Sequence, residues 1–200
     1  HGHTVFHKPN RGITKQIGSG EEISKHTGIQ VVYDFRTQDV ALGGQGAPLV
    51  PVGDRILFND YDACLNMGGF ANVSFDMHNK RIAYDIGACN LILNHFAQKL
   101  GHEYDNQGLL ARGGTCDESL LKALNKIEYY DFNPPKSLAR EFAESKFLPL
   151  LSNYDEETVL HTYTKHIGFQ IGMSLTKSKA AKKKHERSIE TGQSTKSNIK

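Results

Sequence analysis

The stretch Cys64–Leu100, CLNMGGFANVSFDMHNKRIAYDIGACNLILNHFAQKL, decides the fold. Cys64–Phe75 reads as strand, Gly-Gly turn, strand, since two glycines between β-prone runs are a strong hairpin signal. A second turn around His78-Asn79-Lys80 leads into Arg81–Asn90, a third strand that breaks at Gly87. Residues 63–86 are therefore three consecutive strands. A helix over 88–100 follows, with Leu91, Leu93, His95, Phe96 and Leu100 spaced for one apolar face. Asp85 ends a strand just before a glycine and a helix start, where carboxylates meet ligands in α/β folds. The alternative is that Asp85 caps the helix beginning near Ala88.

Upstream, Tyr33–Pro51 (YDFRTQDVALGGQGAPLVP) fits neither regular period. Asp34, Arg36 and Asp39 surround an apolar, strand-like run, and Gly43-Gly44-Gln45-Gly46 follows. Three glycines in four positions let the backbone take φ > 0 or approach a ligand closely. Beside three charges they suggest a loop built to hold something polar, against a plain strand-turn with surface ion pairs. Short strands are expected near Val5, Lys15–Ile17 and Ile29–Asp34. A helix is expected over Glu21–Thr27, with Gly28 just past its end. Downstream, helices are expected over 117–126, 137–145 and 155–176, with Asp117 and Ser137 as N-caps. No internal repeat is apparent.

Composition fits a globular body with a basic appendage. The 200 residues carry a net charge of +2, and six Lys/Arg fall within Lys177–Arg187, so the body is close to neutral or acidic. Residues 1–176 show no basic surface interleaved with aromatics, which argues against nucleic acid as the main partner. No stretch approaches the roughly 20 apolar residues of a membrane span, and no signal peptide is read. Cys64, Cys89 and Cys116 are odd in number, widely spaced and outside any CxxC, which fits reduced thiols in a cytoplasmic protein.

His1, His3, His7, Asp34 and Asp85 raise the alternative of a metal hydrolase, because H-x-H on a strand puts both imidazoles on one face. No HExxH accompanies them. His161 and His166, five apart on a helix, lie about 140° apart and do not pair. The expected metal-site residues are none.

Several segments together resemble the anhydro-N-acetylmuramic acid kinases, bacterial sugar kinases of cell-wall recycling. They are HGHTVFH at His1–His7, QIGSG at Gln16–Gly20, TGIQVVYDFR at Thr27–Arg36 and DVALGGQGAPLVP at Asp39–Pro51. NMGGFANVSF at Asn66–Phe75, YDIGACN at Tyr84–Asn90 and PPKSLAREF at Pro134–Phe142 complete the set. The resemblance covers roughly residues 1 to 177.

The resemblance implies an α/β fold of the actin-like (RNase H-like) two-lobed sugar-kinase type, present here in part. Residues 1–60 would be the C-terminal part of the first lobe and 61–176 the first part of the second. Residues 177–200 would be a disordered or frame-shifted tail, since that segment holds only Ile189 and Ile199 as large aliphatics. A natural basic tail binding RNA or an acidic membrane is the alternative. Family members also carry a Gly-Thr-Ser-x-Asp-Gly phosphate loop and a Gly-rich adenosine-binding segment, which these residues lack.

The implied chemistry is ATP-dependent. Asp85 would be the general base, activating a water that opens the 1,6-anhydro ring, and O6 would take the γ-phosphoryl group to give N-acetylmuramic acid 6-phosphate. Gly68 and Gly69 would face the nucleotide, with Mg2+ bridging phosphates through few protein ligands. His3, Thr4, Asp34, Arg36 and Asn90 would lie on the sugar side, Asp34 and Arg36 either holding ligand or pairing with each other. Lys136 would fix a helix start, the alternative being contact with ATP. One departure stands out: the family commonly has Gly-Pro-Gly-Asn after the Asp, whereas this chain has Ile86-Gly87-Ala88-Cys89-Asn90. A homodimer is a further expectation. The competing expectation is a catalytically inactive remnant.

Overall fold

The computed structural model describes residues 4–46, 50–77 and 80–196, with side chains described as far as Thr176. The chain divides into two compact units, His1–Val50 and Pro51–Lys200.

In the first unit, strands β1 (Thr4–Lys8) and β2 (Ile13–Gln16) form an antiparallel hairpin through a 3-10 turn at Pro9–Arg11. Gly12 closes that turn at φ 69, a conformation that favours glycine. Helix α1 (Gly20–Thr27) starts at Ser19, whose Oγ accepts the Glu22 N–H at 3.2 Å. Glu21 and Glu22 sit in its first turn and Lys25 and His26 in its last, as the helix dipole favours. Gly28 ends it at φ 69, as expected.

Two expectations fail in this unit. Ile29–Asp34 is not a strand. The Ile29 carbonyl is taken by Ser24 Oγ at 2.8 Å, so its polar groups go back to α1 and not to a ladder. The strand-like run after Tyr33 is also helical: α2 spans Phe35–Ala41. It is entered through Asp34 at φ 66, with no side-chain cap, so the usual start signal is missing.

The second unit opens with α3 (Pro51–Leu57), another helix the pattern did not suggest, although Pro at a first helical position is a start signal. Strands β3 (Cys64–Met67), β4 (Phe70–Met77) and β5 (Lys80–Ala88) then form the expected antiparallel sheet in order β3-β4-β5. Its turn at 78–79 lies outside the described residues. Ala71, Val73 and Phe75 of β4 and Tyr84, Ile86 and Ala88 of β5 enter the core, the alternation a half-buried sheet requires.

Helix α4 (Asn90–Lys99) follows, but its buried face is Ile92, Phe96 and Ala97. Leu91 and Leu93 are only half-buried and His95 is exposed, because i, i+4 and not i, i+2 defines a helix face. After α5 (Leu109–Gly113), α6 (Glu118–Asn125) begins at Asp117, whose Oδ1 accepts the Leu120 N–H at 2.7 Å as expected. Helices α7 (Arg140–Lys146) and α8 (Leu148–Leu151) lead to α9 (Glu156–Lys196). Ser137 does not cap α7. The cap position is Ala139, with no side-chain bond, because residues 136–138 are held against β5.

Helix α9 crosses the sheet's apolar face, burying Val159, Leu160 and Tyr163 among Phe96, Leu120, Leu124, Phe147 and Leu151. Each such fully buried side chain contributes roughly 1.5–3 kcal/mol of apolar burial. Asp117 N–H donates to Thr162 Oγ1 at 3.0 Å, and a Cβ on Gly114 would strike the Glu157 carbonyl. Both bind the α5–α6 segment closely to α9. The expected helix end at 176 is passed, since α9 runs on to Lys196, and the side chains beyond Thr176 lie outside the described ones. Among the described residues no helix is long and apolar enough to cross a membrane, and no group of three or more His, Cys, Asp or Glu could hold a metal ion.

Candidate active site

Asp85 is 9% exposed on β5, opposite Asn72 of β4. Just beyond, the register shifts, so Ile86 and Gly87 together oppose Ala71. Such a bulge twists a strand and re-aims its side chains. Asp85 Oδ2 accepts the Leu138 N–H at 2.9 Å, and the Asp85 N–H donates to the Lys136 carbonyl at 3.1 Å. The Asp85 carbonyl in turn accepts the Tyr129 hydroxyl at 2.5 Å. Asp85 is thus gripped at main chain and side chain by segments about fifty residues away.

The capping alternative for Asp85 finds no support. The Cys89 and Leu91 N–H groups go to the Gly69 carbonyl at 2.8 and 3.1 Å, and the Asn90 N–H to Gly68 at 3.2 Å. Gly68 and Gly69 therefore turn their carbonyls to the start of α4, while the Gly68 N–H stays within the turn, donating to Phe70. Asn90 Nδ2 adds a bond to the Met67 carbonyl at 3.2 Å. A Cβ at Gly69 would meet nothing within 4 Å, so open space lies over the turn.

That space is part of a cleft of about 480 Å³ whose lining includes Gly68, Gly69, Asn90, His95, Arg140 and Glu144. The cleft brings together three of the residues singled out from sequence, and Asp85 is not among its lining. Arg140 Nε donates to Glu144 Oε1 at 2.7 Å along one face of α7.

Behind Asp85 stands a pair of tyrosines that sequence reading missed. Burial, and then the Asp85 charge, push the Tyr129 phenol well above its usual range, so it stays a proton donor. Lys136 Nζ donates to the Tyr129 carbonyl at 2.9 Å and lies 4.4 Å from the Tyr129 ring centroid. Lys136 thus anchors the Pro134–Leu138 loop.

The neighbouring Tyr130 hydroxyl lies 3.1 Å from where a Cβ on Gly87 would sit. It bonds His166 Nε2 at 2.7 Å, and His166 Nδ1 bonds Asn125 Oδ1 at 2.7 Å, an oxygen that also accepts from Gln170 Nε2 at 2.9 Å. Burial pulls the His166 imidazole down to about 3, so the ring is neutral. The protons are then assigned: Tyr130 donates to Nε2, and Nδ1–H donates to Asn125. The signal for His166 was its place on the buried stripe of α9 with Val159, Tyr163 and Gln170.

The remaining sequence-derived site residues lie in the first unit. Thr4 Oγ1 accepts from Gln16 Nε2 at 3.3 Å. Asp34 is exposed at the start of α2, and Arg36, two residues later, is half-buried. Burial first, and then the Arg36 charge, lower the His7 imidazole. The glycine loop does hold something polar, and it is the chain's own Asp39: Oδ2 accepts the Gly46 N–H at 2.7 Å, and its carbonyl accepts the Gly44 N–H at 2.8 Å. Gly43 and Gly46 take φ of 86 and 67 there. His3 lies outside the described residues.

Comparison with known proteins converges on one family. A family model described as anhydro-N-acetylmuramic acid kinase matches residues 1–182. Proteins named anhydro-N-acetylmuramic acid kinase are similar to this chain. The one from Methylobacterium nodulans is 41% identical over 171 residues, 82% of this chain and 46% of that protein. The one from Pseudomonas fluorescens is 44% identical over 146 residues, 70% of this chain and 40% of its own length. That from Vibrio parahaemolyticus is 38% identical over 188 residues, 88% and 50%. The chain spans about half the length of the curated relatives it matches. It belongs to the anhydro-N-acetylmuramic acid kinase family.

Proposed function

We propose that these residues carry the base and part of the nucleotide side of an ATP-dependent kinase acting on 1,6-anhydro-N-acetylmuramic acid in peptidoglycan recycling, in the cytoplasm. The observation that supports this most is the fixed placement of Asp85 within β5, three residues before its end at Ala88, where the following helix start is bonded to the Gly68-Gly69 turn that opens on a cleft. Asp85 takes a proton from water, the water oxygen bonds to the anomeric carbon, and the bond from that carbon to O6 breaks. O6 then attacks the γ-phosphorus of ATP, and ADP leaves, giving N-acetylmuramic acid 6-phosphate. General-base assistance of this kind is worth about 10²–10⁴-fold.

Asn90 and, from the first unit, His3, Thr4, Asp34 and Arg36 are proposed on the sugar side, and Gly68 and Gly69 on the phosphate side. Mg2+ is proposed as held mainly by phosphate and water, through few protein ligands. When bound, the ion would neutralise phosphate charge.

The second reading is a catalytically inactive remnant, in which these 200 residues turn nothing over by themselves. One experiment separates them. Phosphoryl transfer from Mg-ATP to 1,6-anhydro-N-acetylmuramic acid is measured for the chain and for Asp85→Asn, which retains an oxygen for the Leu138 N–H. Transfer that falls at least a hundredfold in the variant supports the kinase reading. No transfer by folded wild-type chain supports the remnant, and equal transfer by both proteins removes Asp85 from the mechanism.

A further inference from the structure

The Arg140–Glu144 pair runs against the charges around it. In α7, Glu141 sits in the first turn and Lys146 in the last, as the helix dipole favours. Arg140, however, is the first residue of that helix and Glu144 lies four residues on, so cation and anion are placed the other way round. At this spacing the acid-first order is the one that supports a helix better. The stability of α7 does not account for the pair.

Its location does. Both side chains line the cleft of about 480 Å³ beside Gly68 and Gly69, where Glu144 is the one carboxylate among the described residues of the lining. Helix α4 contributes the His95 ring and the side-chain amides of Asn94 and Gln98. The backbone has little left to offer an anion there. The Asn90 and Leu91 N–H groups are spent on Gly68 and Gly69, and the Gly68 N–H on Phe70. A highly charged ligand in this cleft therefore needs a side-chain cation, and Arg140 is the permanent one in its lining. Its bond to Glu144 at 2.7 Å is made by Nε. Among the described residues its two terminal nitrogens make no bond, and a planar fork of that kind takes two phosphate oxygens at once.

We infer that Arg140 is a phosphate-binding residue, that the polyphosphate of a nucleotide is its ligand, and that Glu144 occupies it when the cleft holds no nucleotide. The His95, Asn94 and Gln98 side chains add donors from α4. The inference rests on the reading of the Gly68-Gly69 side as the phosphate side, and it supplies the charge which that turn lacks.

The test titrates the full 200-residue chain with Mg-ADP, with inorganic tripolyphosphate and with adenosine, reading heat and the NMR signals of the Gly69 amide and the His95 ring. The two phosphate ligands should bind and move both signals, and adenosine, which has no phosphate, should move neither. Arg140→Met, at a side chain 69% exposed, should weaken both phosphate ligands about tenfold or more. Arg140→Lys should recover only part of that loss, because an ammonium keeps the charge and not the fork. Glu144→Gln should tighten binding about threefold by removing the competing carboxylate. Lys146→Gln, which removes a cation of the same helix outside the lining, should change little.

Wild-type affinity in Arg140→Met would make the pair an ordinary surface contact and overturn the inference. Equal losses in Arg140→Met and Lys146→Gln would reduce it to general charge, and weaker binding in Glu144→Gln would deny the competition. Either result overturns it, as does no binding of either phosphate ligand. Urea midpoints check that each variant is folded, and if Arg140→Met is not, Arg140→Lys and Glu144→Gln decide. Arg140-dependent binding without phosphoryl transfer would count against the kinase reading alone. Transfer from Mg-ATP undiminished in Arg140→Met would count against Arg140 alone.

Discussion

The Tyr129 hydroxyl donates to the main-chain carbonyl of Asp85 at 2.5 Å, joining residues 44 apart in sequence at a buried position. Asp85 is therefore placed from behind by its backbone, which leaves its carboxylate to face the Leu138 N–H. Tyr129→Phe removes only this hydroxyl and its bond to a buried carbonyl. The expected loss is about 1–3 kcal/mol of stability. It should appear as a lower urea midpoint with an unchanged m-value, and an unchanged midpoint would show that the bond contributes nothing.

Gly87 and Tyr130 make a second prediction. An Ala Cβ at Gly87 would lie 3.1 Å from the Tyr130 hydroxyl, tighter than ordinary contact. Tyr130 cannot retreat cheaply, because His166 holds that hydroxyl at 2.7 Å. Gly87→Ala should cost about 1–3 kcal/mol. Combined with Tyr130→Phe, which deletes the obstructing oxygen, it should cost clearly less than the two single losses added together. Simple additivity in the double-mutant cycle would mean the two positions do not couple.

The pH dependence follows from His166. Its imidazole titrates near 6.5 when unfolded and at about 3 when buried in the fold. Below pH 6.5 the unfolded chain takes up a proton that the folded chain refuses. The contribution of His166 is thus complete above about 6.5 and declines as pH falls towards 3, by up to roughly 1.4 kcal/mol per unit. His7 in the first unit shifts in the same direction. Urea midpoints of Pro51–Thr176 signals at pH 7 and pH 5 should differ markedly in wild type and much less in His166→Gln. Equal differences in the two proteins would rule out His166 as the source.

The meander was legible because its signals are local. Ala71, Val73 and Phe75 alternate, Gly68-Gly69 marks a turn, and Asp117 sits three residues before the amide it caps. Helix α2 was not, since it is only seven residues long and entered through Asp34 at φ 66 without a side-chain cap, so neither a period nor a start signal announces it. Asp85 could be singled out by its place just before a glycine and a helix start, although β5 runs three residues past it, to Ala88. Its supports could not, because Tyr129 and Leu138 reach it across 44 and 53 residues. Contacts of that separation leave no mark in a local window. His166 is the intermediate case: its spacing with Val159, Tyr163 and Gln170 is a signal of burial that the sequence reading did not take up, and nothing pointed to Tyr130 or Asn125 as partners.

The glycine loop of the first unit offers the last test. Asp39 Oδ2 accepts the Gly46 N–H at 2.7 Å, and a Cβ on Gly44 would collide with that carboxylate. The loop is thus wound around a side chain of α2, and its shape depends on one acceptor oxygen. Asp39→Asn can keep an oxygen in place, whereas Asp39→Ala cannot. Amide exchange at Gly46 should accelerate about tenfold in Asp39→Ala for each 1.4 kcal/mol lost from local opening, and much less in Asp39→Asn. Gly44→Ala should speed the same amide, because the carboxylate must move aside for the new methyl group. If Gly46 exchanges at the same rate in all three variants as in wild type, Asp39 does not hold the loop, and its carboxylate is available to a ligand instead.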